Sequence, residues 1–311
     1  MYAQWKLLPL ESLGALRMRG RDVVPFLQGQ LSADIARLRP GLSLLAGYHN
    51  PQGRVLALLR LIGLGAEEVL AILPRELVAS TVRRLSGFVL RSRVELLDDS
   101  AAWRIAGLIG PDVASAPTLQ AAAQLPHAAG EVVRLGESLA VRVGGAAPRW
   151  LIVSPAAAPA EAAFAQCAPG DADLWHRLAI AAGEPEVYAS TSGEFVAQML
   201  NLDLLGAIAF DKGCYTGQEI IARAHYRGRI KRRMQRFRGA APRPLAPGDS
   251  GALADGRSFR VVEAVRGEDG VCDFLAVAPV ATGAAAEEPP PASDTLRLDA
   301  IPLPLPYGLP E

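Results

Sequence analysis

No stretch of this 311-residue chain approaches the run of roughly 20 apolar residues that a membrane-crossing helix needs, although 50% of its residues are hydrophobic. The opening MYAQWKLLPLESLGALRMRG is interrupted by charges and lacks a continuous apolar segment followed by a small-residue cleavage site, so no signal peptide is expected. Cysteine is scarce. Cys167, Cys214 and Cys272 are far apart, odd in number and never in a C-x-x-C pair, which argues against a disulfide framework or zinc ribbon and fits a reducing cytoplasm. His49, His127, His176 and His225 form neither H-E-x-x-H nor H-x-x-x-H, so no dedicated metal site is expected. An excess of one charge is missing too: 32 basic residues balance 32 acidic ones, and a nucleic-acid or membrane partner would need a local patch. G-x-S-x-G, G-x-x-x-x-G-K-[ST] and G-x-G-x-x-G are all absent, which removes the usual local support for serine hydrolase, P-loop and Rossmann readings.

What is present suffices for two or three domains of α+β type. RDVVPFLQGQLSADIARL reads as two short helical turns, with Asp22 capping the first, Gly29 ending it and Ser32 capping the second. Asn50-Pro51-Gln52-Gly53 joins two apolar runs and suits a type I turn, which predicts a β-hairpin. A strand EEVLAIL, a helix opening at Pro74, and strands RVELLD and AWRIAGLIG follow. The alanine-rich segment 114–130 is weakly patterned. SLAVRVGG and RWLIVSP resume strand character, then PAEAAFAQCA and DLWHRLAIAAG are expected to be helical, the second ended by Gly183. From Met234 onward, short β-like runs separated by Gly, Pro and Asp suggest a small barrel, interrupted by a loop at TGAAAEEPPPASD.

The chemistry concentrates in DKGCYTGQEIIARAH, residues 211–225. Thr216 and Glu219 have capping-box spacing, so a helix is expected to start there. Cys214 would then lie just outside a helix N-terminus, beside the ammonium of Lys212, and both features favour thiolate over thiol. Gly213 and Gly217 allow close approach of a ligand to the backbone, and Tyr215 offers a ring and a hydroxyl. Cys167 and Cys272 read as packing residues, and His49 and His225 as surface histidines. Downstream, Arg223, Arg227, Arg229, Lys231, Arg232, Arg233, Arg236 and Arg238 form a basic strip with Tyr226 and Phe237 interleaved. It suits either an RNA contact or the carboxylates of a small anion.

KGCYTGQE (212–219) closely resembles the K-G-C-[FY]-x-G-Q-E motif of the YgfZ-type folate-binding proteins, relatives of the glycine-cleavage T-protein, or aminomethyltransferase. FLQGQLSADI, HNPQGRVLALLRL and NLDLLGAIAFDKGC resemble further blocks of that family. The resemblance implies a three-domain ring, with two interlaced α/β parts within residues 1–233, divided near 50, 110 and 175, and a C-terminal β-barrel over 234–311. It also implies tetrahydrofolate as ligand, with Gln30, Asp34, Tyr215, Gln218, Glu219, Arg223 and Arg227 as candidate binding residues and Cys214 and Lys212 as candidate catalytic ones. The implied role is assembly or repair of iron–sulfur clusters in selected enzymes, including one that methylthiolates tRNA, with assembly factors or client enzymes as partners. Folate-dependent aminomethyl transfer and RNA binding on the basic strip are the alternatives. One departure bears on the first alternative: the aminomethyltransferase helix reads L-R-x-E-A-G, whose glutamate helps hold the pterin, whereas LAIAAG here puts Ala181 at that position.

Overall fold

A computed structural model of the protein describes residues 4–111, 119–158, 163–228, 230–280 and 296–310. The expected loop TGAAAEEPPPASD, Arg229 and most of the opening of the alanine-rich segment lie outside the described residues.

Three sheets organise the chain. The first is a five-stranded antiparallel sheet in the order Ser43–His49, Val55–Gly65, Glu68–Pro74, Leu13–Arg19, Glu95–Asp98. Its first pair is the expected hairpin: Gly53 donates its N–H to the Asn50 carbonyl at 2.9 Å, and the Asn50 side chain accepts from the Arg54 N–H. The helix Arg75–Ser86 opens at Pro74 as read and buries Leu77, Val78 and Leu85. The second sheet has six strands in the order Ala168–Pro169, Lys6–Pro9, Trp103–Ile109, Arg149–Pro155, Ser138–Arg142, Val132–Leu135. It borrows a strand from the extreme N-terminus, so the chain passes between the two sheets more than once. Ala15, Ile62, Leu70 and Ile72 of the first sheet share one apolar cluster with Ile105, Ile109, Val141 and Leu151 of the second. That shared core, at about 25 cal/mol for each Å² of buried apolar surface, welds the two sheets together.

The third sheet runs Leu296–Leu298, Ser250–Leu253, Ser258–Arg266, Val271–Pro279, Arg232–Ala240, Ala300–Leu303. Leu296–Leu298 pairs with one edge and Ala300–Leu303 with the other, so a single segment through Asp299 joins both edges and closes the sheet into a barrel around Phe237, Phe259 and Phe274. A further cluster unites Met234, Val262, Leu275 and Val277 of this barrel with Leu16, Leu59 and Leu200, so the barrel packs on the body rather than hanging from a linker.

Three local expectations change. The second helical turn is a 3-10 segment, Ile35–Arg37, that follows Asp34 rather than Ser32. Ser32 is wholly buried instead; its hydroxyl donates to the Ala207 carbonyl at 2.6 Å and accepts from the Gly47 N–H at 2.9 Å. PAEAAFAQCA is not helical where it is described: residues 163–166 form turns, Phe164 inserts into the outer face of the second sheet, and Ala168–Pro169 becomes its edge strand. Burial of one aromatic and strand pairing override the strong intrinsic helix preference of the alanines, as tertiary context can. Cys167 therefore sits in a turn, half-buried. The neighbouring expectation stands, because helix Ala172–Ala182 is capped by the Asp171 carboxylate at 2.9 Å from the Leu174 N–H and ended by Gly183 in the left-handed conformation.

Candidate functional site

The stretch that leads to Cys214 is laid over the N-terminal block FLQGQLSADI. Ala209 donates its N–H to the Ser32 carbonyl, and the Lys212 ammonium donates to the carbonyls of Leu31 at 2.7 Å and Ala33 at 2.6 Å. Burial pulls the Lys212 pKa down to about 8, opposed by the nearby Asp34 carboxylate. The same ammonium lies 5.2 Å from the centre of the Tyr215 ring. Tyr215 is buried, and burial pushes its hydroxyl up to about 12. Lys212 thus meets backbone carbonyls and a ring, and its chief effect is to clamp the loop. Cys214, between these two anchors, is exposed.

The helix after the loop is Gln218–Tyr226, and Gly217 rather than Thr216 holds the cap position, with no side-chain cap hydrogen bond. The expected capping box is therefore not formed. The reason is steric: Gly217 has φ +82° and a Cβ there would come within 2.6 Å of the Asn50 carbonyl, so this glycine lets the helix start against the hairpin turn. Ile221 is buried on that side, whereas Glu219, Arg223 and Arg227 are exposed on the helix surface. His49, expected at the surface, is 1% exposed, its ring 6.3 Å from that of Tyr215. Among the described residues neither ring nitrogen has a hydrogen-bond partner, and burial lowers its pKa to about 3. Gln30 Oε1 is likewise buried without a donor among the described residues, while Asp34 Oδ1 accepts from Gln28 at 2.9 Å. The candidate residues thus divide. Lys212, Tyr215, Gln30 and Asp34 belong to the underside of the Cys214 loop; Glu219, Arg223 and Arg227 face outward, with Gln218 half-buried between.

The basic strip divides as well. Arg233 is 4% exposed and holds Asp203 through two hydrogen bonds of 3.0 and 2.9 Å. Arg232 bonds Ser258, and Arg236 and Arg238 each lie 3.9 Å from an aspartate, Asp273 and Asp269. Among the described residues, the Arg223 and Arg227 guanidiniums have no partner.

A second constellation, where all three sheets meet, escaped the sequence reading. Arg60 comes from the first sheet, Arg149 from the second, Trp175 and His176 from the helix Ala172–Ala182, Glu184 and Glu186 from the segment after it, and Glu263 from the barrel. A β-bulge between Val261 and Glu263 aims the last of these. Glu184 is gripped by Arg60 and by Arg149, the latter at 2.7 Å, and Arg149 stacks 5.0 Å over Trp175. Burial works against the Glu184 charge, but the two guanidiniums hold its carboxyl below the ordinary value. Opposite, Glu263 accepts from Tyr188 and lies 3.4 Å from His176 Nδ1. Glu186 makes no ion pair among the described residues; burial, then Glu263 and Glu184, push it up to about 8, against the weaker pull of His176 and Arg60. These groups enclose about 50 Å³, and Arg60 and Glu184 also line a groove of about 420 Å³ together with Arg37, Leu45, Gly145 and Tyr307. The C-terminal segment borders this groove, the Tyr307 hydroxyl donating to the Gly183 carbonyl at 2.7 Å. The available sequence signal was a lone arginine, Arg60, inside the otherwise apolar strand VLALLRLIG.

Over 272 residues, 85% of this chain and 81% of the relative, the sequence is 34% identical to the tRNA-modifying protein YgfZ of Serratia proteamaculans. The chain belongs to the YgfZ family. The YgfZ protein of Colwellia psychrerythraea is 28% identical over 87% of this chain and 84% of its own. No protein-family model matches. Among solved structures, aminomethyltransferase T of the Bartonella henselae glycine cleavage system superposes with a TM-score of 0.69 at 18% identity, covering 90% of this chain and 80% of its own. The architecture of this YgfZ-family chain is therefore the three-domain α+β fold of the T-protein with its C-terminal barrel. Among the described residues no helix is long and apolar enough to cross a membrane.

Proposed function

We propose that this protein is a cytoplasmic tetrahydrofolate-binding protein that acts in the assembly or repair of iron–sulfur clusters in selected enzymes, including tRNA-methylthiolating enzymes. One observation carries the reading: within KGCYTGQE the chain pins Lys212 on two backbone carbonyls, buries Tyr215, and leaves the Cys214 thiol exposed between them. A packing cysteine needs no such presentation; a thiol that meets another molecule does. Family membership supports the tRNA-related side of the role, and the T-protein fold supports the folate side. On this reading residues 1–233 are the folate-binding body and 234–311 the barrel that closes it.

The residues between the sheets suit such a ligand. The Glu186 carboxyl offers hydrogen bonds to pterin nitrogens, and Arg37 on the larger groove carries the charge that a glutamate tail requires. The enclosed space alone holds only a few waters, so the ligand would use the adjoining groove. Bound tetrahydrofolate supplies a one-carbon carrier; the chain supplies acceptors, cations and a water-poor wall at Trp175. Ala181 removes one acceptor from the position used in aminomethyltransferases, which favours binding without glycine-dependent transfer.

Calorimetric titration of the purified protein with tetrahydrofolate, followed by a glycine-cleavage assay with the partner proteins, tests both halves. Binding without turnover is expected. Robust methylene transfer would put the aminomethyltransferase reading first, and no binding would end the folate reading.

A further inference from the structure

At the far end of the helix that follows the Cys214 loop, three rings form a corner. His225 stacks on Phe210 with centroids 3.8 Å apart and planes 17° apart, and Tyr226 stands edge-on to both, at 80° and 72°. Tyr226 is 68% exposed, which a merely structural tyrosine rarely is, and His225 is exposed as well. Phe210 and His225 wall a groove of about 420 Å³ whose lining includes Gln198, Asp203, Gly228 and Arg233. Gln198 is 1% exposed; its Nε2 donates to the Ile221 carbonyl at 2.7 Å, which fixes the amide orientation, and its Oε1 has no donor among the described residues. A buried acceptor left open beside a groove is destabilising, and any ligand that brings an N–H relieves it. Asp203 offers no competing site because Arg233 holds both its oxygens. Arg223 lies in the last turn of this helix and Arg227 at its C-cap, where its N–H bonds the Arg223 carbonyl, and neither guanidinium has a partner among the described residues.

We propose that this corner is a binding site for single-stranded RNA, in which one base enters the groove beside His225, a neighbouring base stacks on the exposed Tyr226, and Arg223 and Arg227 hold phosphates. Aromatic faces with interleaved arginine are what unpaired bases stack on. Two cations one helical turn apart match a strand, which presents successive phosphates, better than a free mononucleotide. The open Gln198 acceptor favours adenine or cytosine, whose exocyclic amines donate, over uracil, which offers a carbonyl oxygen at the equivalent place. The site is separate from the chamber between the sheets and does not rest on folate binding.

Fluorescence anisotropy with labelled ten-nucleotide oligoadenylate, oligocytidylate and oligouridylate tests it on the full-length protein. Oligoadenylate and oligocytidylate are expected to bind more tightly than oligouridylate. The double variant His225→Ala/Tyr226→Ala should weaken affinity at least about tenfold, from the usual worth of a stacked base. Tyr226→Trp should keep it. Arg223→Gln/Arg227→Gln should lower the slope of log affinity against log salt by about 1.4, at about 0.7 for each single-strand phosphate that is no longer neutralised. Calorimetric tetrahydrofolate binding should be unchanged in the two aromatic variants. Absence of oligonucleotide binding at low salt, wild-type affinity in the aromatic double variant, or adenosine monophosphate binding as tightly as oligoadenylate would overturn the proposal.

Discussion

The Cys214 loop and the chamber between the sheets are built in opposite ways. The loop draws its special residues from one short motif and pins them with backbone carbonyls of a single neighbouring block, leaving one thiol exposed. The chamber takes one or two charged side chains from each of several elements and balances them against each other out of water. Each region is therefore fragile in its own way. Damage to the chamber should lower folding stability, because its charges are buried; damage at Cys214 should lower function, because its side chain supports nothing.

The largest effect is expected from Glu184→Leu, which strands the buried Arg149 and its neighbour Arg60. Breaking a buried pair from one side costs about 3–5 kcal/mol, and urea denaturation should show a destabilisation of that order. A value under about 1 kcal/mol, typical of a surface pair, would mean that water reaches the chamber freely.

Next in size is Lys212→Ala. It leaves the Leu31 and Ala33 carbonyls without their donor, at a cost of about 1–3 kcal/mol, and should loosen the Cys214 loop, measurable as faster amide exchange around residues 211–217. Unchanged exchange would show that Tyr215 alone anchors the motif.

The third test is the pH dependence of stability. Glu186 titrates at about 8 in the folded chain against an ordinary 4.5, so the folded state holds its proton more tightly than the unfolded one. That contribution is fully present below about 4.5 and is lost as pH rises toward 8. His176, raised from 6.5 despite its burial by Glu263 beside it, acts in the same direction. Glu184, held low by its arginines, has the opposite sign and contributes only above the ordinary carboxylate range. Glu186→Gln should therefore flatten the decline of stability between pH 5 and 8 without abolishing it; a wild-type slope in the variant would place Glu186 in contact with solvent.

The parts that the sequence discloses are those whose signal is local. Asn50-Pro51-Gln52-Gly53 makes its turn with its own backbone, Asp171 and Gly183 bracket their helix, and the strand texture after Met234 does become a barrel. Local patterning fails where a partner distant in sequence decides. Ser32 abandons a cap to bridge Ala207 and Gly47, Thr216 yields to Gly217 because the hairpin turn crowds the helix start, and Phe164 pulls an alanine-rich segment out of helix. His49 looks like a turn histidine until the loop of Tyr215 covers it. The chamber is the extreme case. Arg60, Arg149, Glu184 and Glu263 are isolated charges in sequence, and only the meeting of three sheets makes them one site. Similarly, the basic residues between 223 and 238 read as one patch, yet pairing in the barrel leaves Arg223 and Arg227 as the pair whose guanidiniums have no partner among the described residues of the strip.

The most direct measurement of whether Cys214 is a presented thiol pairs alkylation with function. In the folded protein Cys214 should alkylate first, Cys167 more slowly because burial raises its thiol to about 11, and the fully buried Cys272 last. Cys214→Ala should then melt within a few degrees of wild type, equivalent to less than roughly 1 kcal/mol for a chain of this size, yet fail to restore iron–sulfur enzyme activity in cells that lack the protein. A Cys214→Ala variant that melts much earlier and still restores that activity would contradict the account, and would make the motif a structural clamp with no working thiol.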